Sequence, residues 1–309
     1  MNQSNTIESV KTYGSGLLFA VLVGFSFLGL KQMVQYGNAI EVIAFRYTFA
    51  MIALVICLAL RIVRVDFKGK PVFKKALPVA SFYILFMLFQ AAGLKFATTI
   101  ESGIFFAIIP ILASVLSSVV LKEKPSFVQS LFMLLSISAL IVMILCGATS
   151  LHLNAQGIIL LLISSLCMAI NNVFMRYLRM QFTAIEMTSV IIVSGFVILN
   201  LICIVWSLIH GNLMDFFALA THPKFVIAGI YLGIPCTLIS AALMAYMIRR
   251  VVAIKATIFG NLSTAISIVA GVMVLHEPLY WYHILCTILI IIGVIGVSAS
   301  GIKKEKLDA

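Results

Sequence analysis

A chain of 309 residues with 63% hydrophobic and 10% charged side chains is far from the composition of soluble domains, which run at about 45–50% apolar and about 25% charged. So little polar side chain cannot cover so much apolar surface in water, which excludes an ordinary soluble protein. The net charge of +11 would suggest a nucleic-acid partner if the basic residues shared a patch, but they fall between apolar runs, which argues against nucleic acid.

Taken in chain order, roughly ten apolar runs are predicted as membrane-crossing helices: 14–34, 41–61, 76–94, 102–121, 127–148, 157–178, 187–209, 225–248, 256–275 and 281–301. Each is long enough to cross about 30 Å of hydrocarbon as a helix. The first run is too long for a signal-peptide core and lacks a small-residue cleavage site, so it is expected to remain as the first helix. The fourth run contains Pro110, which has no N–H to donate and crowds the preceding turn, so a kink or irregular start is expected there. The connections are short and leave no room for a soluble domain. The six cysteines, Cys57, Cys146, Cys167, Cys203, Cys236 and Cys286, all lie within the runs without a C-x-x-C pair and read as small packing residues.

The basic residues alternate in side. With the N-terminus in the cytoplasm, the inside segments hold Lys11, the cluster from Arg61 to Lys75, Lys122 and Lys124, Arg176 and Arg179, Arg249 to Lys255, and Lys303 to Lys306; the outside segments hold only Lys95 and Lys224. The positive-inside rule then gives a multi-pass protein of the cytoplasmic membrane with both termini inside.

The chain also repeats itself. IIPILASVLSSVVLKE, from Ile108 to Glu123, is echoed by LSTAISIVAGVMVLHE, from Leu262 to Glu277. Val115, Val120, Leu121 and Glu123 match Val269, Val274, Leu275 and Glu277, and prolines follow both glutamates at Pro125 and Pro278. Ala113 and Ser117 correspond to Ser267 and Gly271, small pairs four apart that let membrane helices approach closely. Ala39-Ile40-Glu41 likewise returns as Ala184-Ile185-Glu186, while Thr264 stands where the first half has Pro110. The fold expected is an all-α integral membrane protein of ten transmembrane helices in two five-helix repeats, 14–150 and 157–301. An odd number of helices per repeat inverts the second relative to the first, an arrangement suited to opening a path to either side in turn.

Within the runs, Lys31 and Arg46 are the costliest side chains, because a charge in hydrocarbon costs at least a few kcal/mol at the centre. Three roles fit both: a polar lining for an anionic group, ion pairs with Glu41 or Glu101, or snorkelling to the interface. Gln90, Asn171, Asn172 and Asn261 would line a substrate path or hydrogen-bond between helices. Tyr83, Phe105 and Tyr231 are candidates for an aromatic lining or for packing, and Glu123 for a gate or a helix-end contact. The five histidines fall toward the outside and none has zinc-ligand spacing. No G-x-x-x-x-G-K-[ST] loop is present to cradle a nucleotide, and no nucleophile and base are arranged as in an enzyme. No cofactor is implied, and transport would run on solute or ion gradients.

The segments LLFAVLVGFSFLGLK with Lys31, EVIAFRYTFA with Arg46, and GLKFATTIESGIFFAIIPILASVLSSVVLKEKP resemble the first half of the ten-helix EamA-type branch of the drug/metabolite transporter superfamily. CMAINNVFMRYL and FGNLSTAISIVAGVMVLHEPLYWYH are similar to its second half. The resemblance implies a cavity between the halves, alternating access without ATP, and export of a small metabolite such as an amino acid, with the proton as a candidate coupling ion. Import of a solute such as an organic cation, or a non-transporting role in membrane assembly or lipid handling, remain open alternatives.

Overall fold

Hydrocarbon offers no partner to a backbone N–H or C=O, so an apolar chain must satisfy them internally, and a helix does so within one segment. The computed structural model describes residues 3–120, 125–149, 154–178, 180–210, 213–248 and 253–305, and among the described residues the regular structure is helical throughout. The helices are α1 (Gln3–Met33), α2 (Ala39–Ala59), α3 (Leu77–Gly93), α4 (Thr99–Ala107), α5 (Ile109–Val120), α6 (Phe127–Thr149), α7 (Ala155–Leu178), α8 (Ala184–Ile209), α9 (Leu213–Ala218), α10 (Pro223–Gly233), α11 (Ser240–Ile248), α12 (Ala253–Leu275) and α13 (Trp281–Glu305). Singly or joined end to end, they supply eight segments long and apolar enough to cross a membrane, the last being Pro223–Met244, and two shorter apolar helices, Phe259–Leu275 and Trp281–Val297.

Several helix starts are written into the sequence as capping boxes. Asn38, Thr98 and Thr183 each accept the N–H of the glutamate three residues on, and Glu41, Glu101 and Glu186 each reach back to the cap residue's own N–H. This satisfies donors that the first helical turn would otherwise leave bare. The break expected at Pro110 is present: α4 ends at Ala107 and α5 starts at Ile109. A second break was not expected. In the run 225–248, Pro235 lies in a wide turn, Ile234–Ile239, that separates α10 from α11. The connection before α10 contains the short helix α9, whose Phe216 is buried against Phe45.

The most extensive helix contacts are α6 with α13, α3 with α7, α1 with α12 and α2 with α8. Each of these pairs joins a helix before residue 150 to one after residue 154, so the two parts of the chain interleave. Side chains such as Ile52, Val55, Ile56, Leu131, Leu134, Leu201 and Trp206 face outward, as they would toward lipid. Small residues sit where helices cross. The Thr264 hydroxyl donates to Gly103 O (3.2 Å), and a Cβ at Gly103 would collide with the Ser267 hydroxyl. Gly271 similarly faces Thr99. Ser267 and Gly271, small residues of the repeat, thus bring α12 against α4.

Candidate functional site

Arg46 lies about 10 Å along the α2 axis from Ala39, and its side chain is 3% exposed. Its Nε donates to Thr237 Oγ1 at 3.0 Å. Thr237 can accept because its own proton goes to Leu232 O at 2.8 Å, inside the wide turn around Pro235. The absent proline N–H and the widened turn therefore aim a hydroxyl at the guanidinium. Gly233 allows this approach: a Cβ there would come to 2.7 Å from Arg46 O. On the neighbouring face, Tyr231 Oη and Cys236 Sγ both donate to Leu22 O on α1, at 2.9 and 3.2 Å. Tyr83 and Cys236 lie within electrostatic range of the guanidinium, as does Tyr47, whose buried hydroxyl has no hydrogen-bond partner among the described residues.

Lys31 is placed differently. Its Nζ donates to Leu94 O (2.6 Å) and Ala97 O (2.5 Å), the carbonyls that follow α3. A cation at a helix C-terminus meets both the unpaired carbonyls and the negative end of the dipole. Glu101 and Glu277 are within electrostatic range of Lys31, yet among the described residues neither Lys31 nor Arg46 forms an ion pair; the one present joins Lys70 and Glu186. Of the three roles open to these cations, ion pairing with Glu41 or Glu101 is not formed among the described residues, since both carboxylates fold back into their own capping boxes.

The amides divide. Asn171 Nδ2 donates to Val79 O at 3.0 Å and ties α7 to α3, whereas Asn172 is exposed. Gln90 is buried, and Asn261 is 4% exposed with its Nδ2 unpartnered. Phe105 is a core side chain, 1% exposed, packed among the residues around Ile104 and Ile108. Tyr83 and Tyr231 are partly buried against the other core cluster. Glu123 lies outside the described residues.

Two further carboxylates close the ends of the bundle. After α12, His276 takes φ +54° and Glu277 N–H donates to Gly271 O at 3.1 Å, a helix ending that turns the chain back over its last turn. Glu277 then accepts from Thr99 N at 2.8 and 2.9 Å, from Thr99 Oγ1 at 2.6 Å and from Ile100 N at 3.2 Å. With Thr98 serving the N–H of Glu101 (3.1 Å), the first three amides of α4 are all satisfied. At the opposite end Glu186 accepts from Lys70 Nζ at 2.8 and 2.7 Å and from Asp66 N at 3.2 Å, and Lys75 Nζ donates to Gln181 Oε1 at 3.0 Å. Matched glutamates were visible in the sequence, but their partners were not. Thr237 and Tyr47 carried no signal beyond lying in apolar runs.

The EamA-like transporter family model matches residues 11–145 and again 155–299. The chain belongs to the EamA-like transporter family. Its resemblance to an uncharacterized transporter, YcxC, of Bacillus subtilis (strain 168) extends over 301 residues at 32% identity, covering 97% of this chain and 96% of that protein. A solved crystal structure 15% identical in sequence shares the fold, with a TM-score of 0.58 over 97% of this chain and 99% of its own. As an EamA-like protein with eight long apolar segments, the chain is a multi-pass membrane protein. The buried polar groups around Arg46 then lie in a membrane protein, where a charge inside a span is costly.

Proposed function

We propose that the protein is a secondary-active transporter that exports a small metabolite by alternating access. In this reading ten helices form two inverted halves, 14–150 and 157–301, with both termini in the cytoplasm. The observation that carries it is the pair of tethers at opposite ends of the bundle. Glu277 holds α4 from the far end of the chain, and Glu186 holds the connection between α2 and α3 through Lys70. Each joins a residue of one half to a residue of the other, so releasing one while keeping the other would open one end at a time. The polar path runs past Arg46, Gln90, Asn172 and Asn261, with Tyr83 and Tyr231 as aromatic lining; Lys31 and Asn171 hold the helices that form it. A proton is the candidate coupling ion.

The test is flux through the purified full-length protein in proteoliposomes, using isotope-labelled panels of acidic, neutral and cationic metabolites with and without a pH gradient. Solute exchange that needs the protein and no ATP is expected, and gradient dependence would identify the coupling ion. A protein that is folded and correctly inserted yet moves no solute in any panel would overturn the reading.

A further inference from the structure

The guanidinium of Arg46 has five N–H donors, and among the described residues it is engaged through Nε alone, with the neutral Thr237 hydroxyl as acceptor. Among the described residues no carboxylate stands within ion-pair distance of it. A charge that is 3% exposed and this poorly matched is expensive in a low-dielectric interior, where buried charges are ordinarily paired. Next along α2, Tyr47 is fully buried and its hydroxyl also has no partner among the described residues. A fold that buried these two groups for packing alone would have done better with Met and Phe. Tyr83, within electrostatic range of both, is only partly buried, so the cluster is not sealed at that edge.

We propose that Arg46, together with the hydroxyl of Tyr47, the next residue of α2, binds the carboxylate of a monoanionic solute. That this solute is the transported one rests on the transport reading above; the binding itself does not. A guanidinium whose Nη groups are uncommitted presents the fork that a carboxylate accepts in two parallel hydrogen bonds, and the tyrosine hydroxyl supplies a third donor. The charge count selects a carboxylate over a phosphate dianion, because the other intramembrane cation, Lys31, is committed to the carbonyls of Leu94 and Ala97. A cationic solute would meet Arg46 as a like charge.

The experiment uses the full-length protein in lipid nanodiscs and follows thermal unfolding with acetate, benzoate and indole-3-acetate, each beside its neutral amide, and with inorganic phosphate and tetraethylammonium. At least one carboxylate should raise the unfolding midpoint by about 5 °C at a hundredfold excess over its Kd, while its amide, phosphate and tetraethylammonium leave it unmoved. Arg46→Gln should abolish the shift. Tyr47→Phe removes a hydroxyl with no protein partner, so its midpoint without ligand should equal that of the wild type, while its affinity for the carboxylate falls about tenfold. A purely structural role for Tyr47 would not separate these two readouts. If Arg46→Gln fails to fold, the acid and amide pairs on the wild type and the Tyr47→Phe protein still decide. The assignment is overturned if no carboxylate binds, if amides bind as well as acids, or if Tyr47→Phe binds as tightly as the wild type. Flux of neutral or cationic solutes without carboxylate binding would sink this site and leave transport standing; carboxylate binding without flux of any solute would do the reverse.

Discussion

Lys31 and Arg46 look alike in the sequence, since each is a lone cation in an apolar run, and residue type and depth are all that a sequence reveals of the cost of a charge in hydrocarbon. What separates them is their partners. Those of Lys31 are carbonyls more than sixty positions away, contacts with no local pattern to announce them. Lys31→Met should therefore lower stability by about 1–3 kcal/mol by orphaning those carbonyls, while leaving the ranking of competing solutes unchanged; thermal unfolding and competition flux read the two effects. Glu277 offers a parallel case. Gln in its place would turn a donor toward the amides of Thr99 and Ile100, so Glu277→Gln should cost about 1–3 kcal/mol and accelerate hydrogen exchange at those two amides. Unchanged exchange there would show that the carboxylate is not what protects them. The sequence marked Glu277 only by its match to Glu123; the S/T/N-x-x-E spacing of Asn38, Thr98 and Thr183 is a local pattern that the reading by apolar runs passed over, and it coincides with the caps that the structure contains.

Helix breaks follow proline, but proline alone does not say what form the break takes. Pro110 was legible as an interruption because it sits well inside a run, and α4 and α5 part there. Pro235 sits equally deep, yet the widened turn Ile234–Ile239 depends on Thr237 and Gly233 meeting α2, a tertiary condition. The crossing of α4 and α12 is a matter of volume. Gly103→Ala would place a methyl group against the Ser267 hydroxyl and should destabilise the protein by about 1–3 kcal/mol. Ser267→Ala removes the obstructing oxygen, so the double variant should recover part of that loss. Equal, additive losses in a double-mutant cycle would mean that the two positions do not touch.

At the scale of the whole molecule, composition and charge pattern made the membrane class and the helical segments readable, because both follow from transfer energies summed over many residues. How the parts pack was not readable: helices from either side of residue 150 alternate in the bundle, and such pairing depends on shape rather than hydrophobicity. The orientation is open to a direct check. An impermeant amine reagent should label Lys224 only from outside sealed cells and Lys68 only in inverted vesicles; labelling of both from the same side would refute the inverted halves. The tether between Glu277 and α4 also bears on biogenesis. The first amides of α4 wait for a carboxylate 178 positions further along, so during synthesis the Thr98 and Glu101 cap must serve alone. That end of the molecule stays unfinished until α12 and the residues just after it have been synthesised, so a late segment completes the start of an early helix.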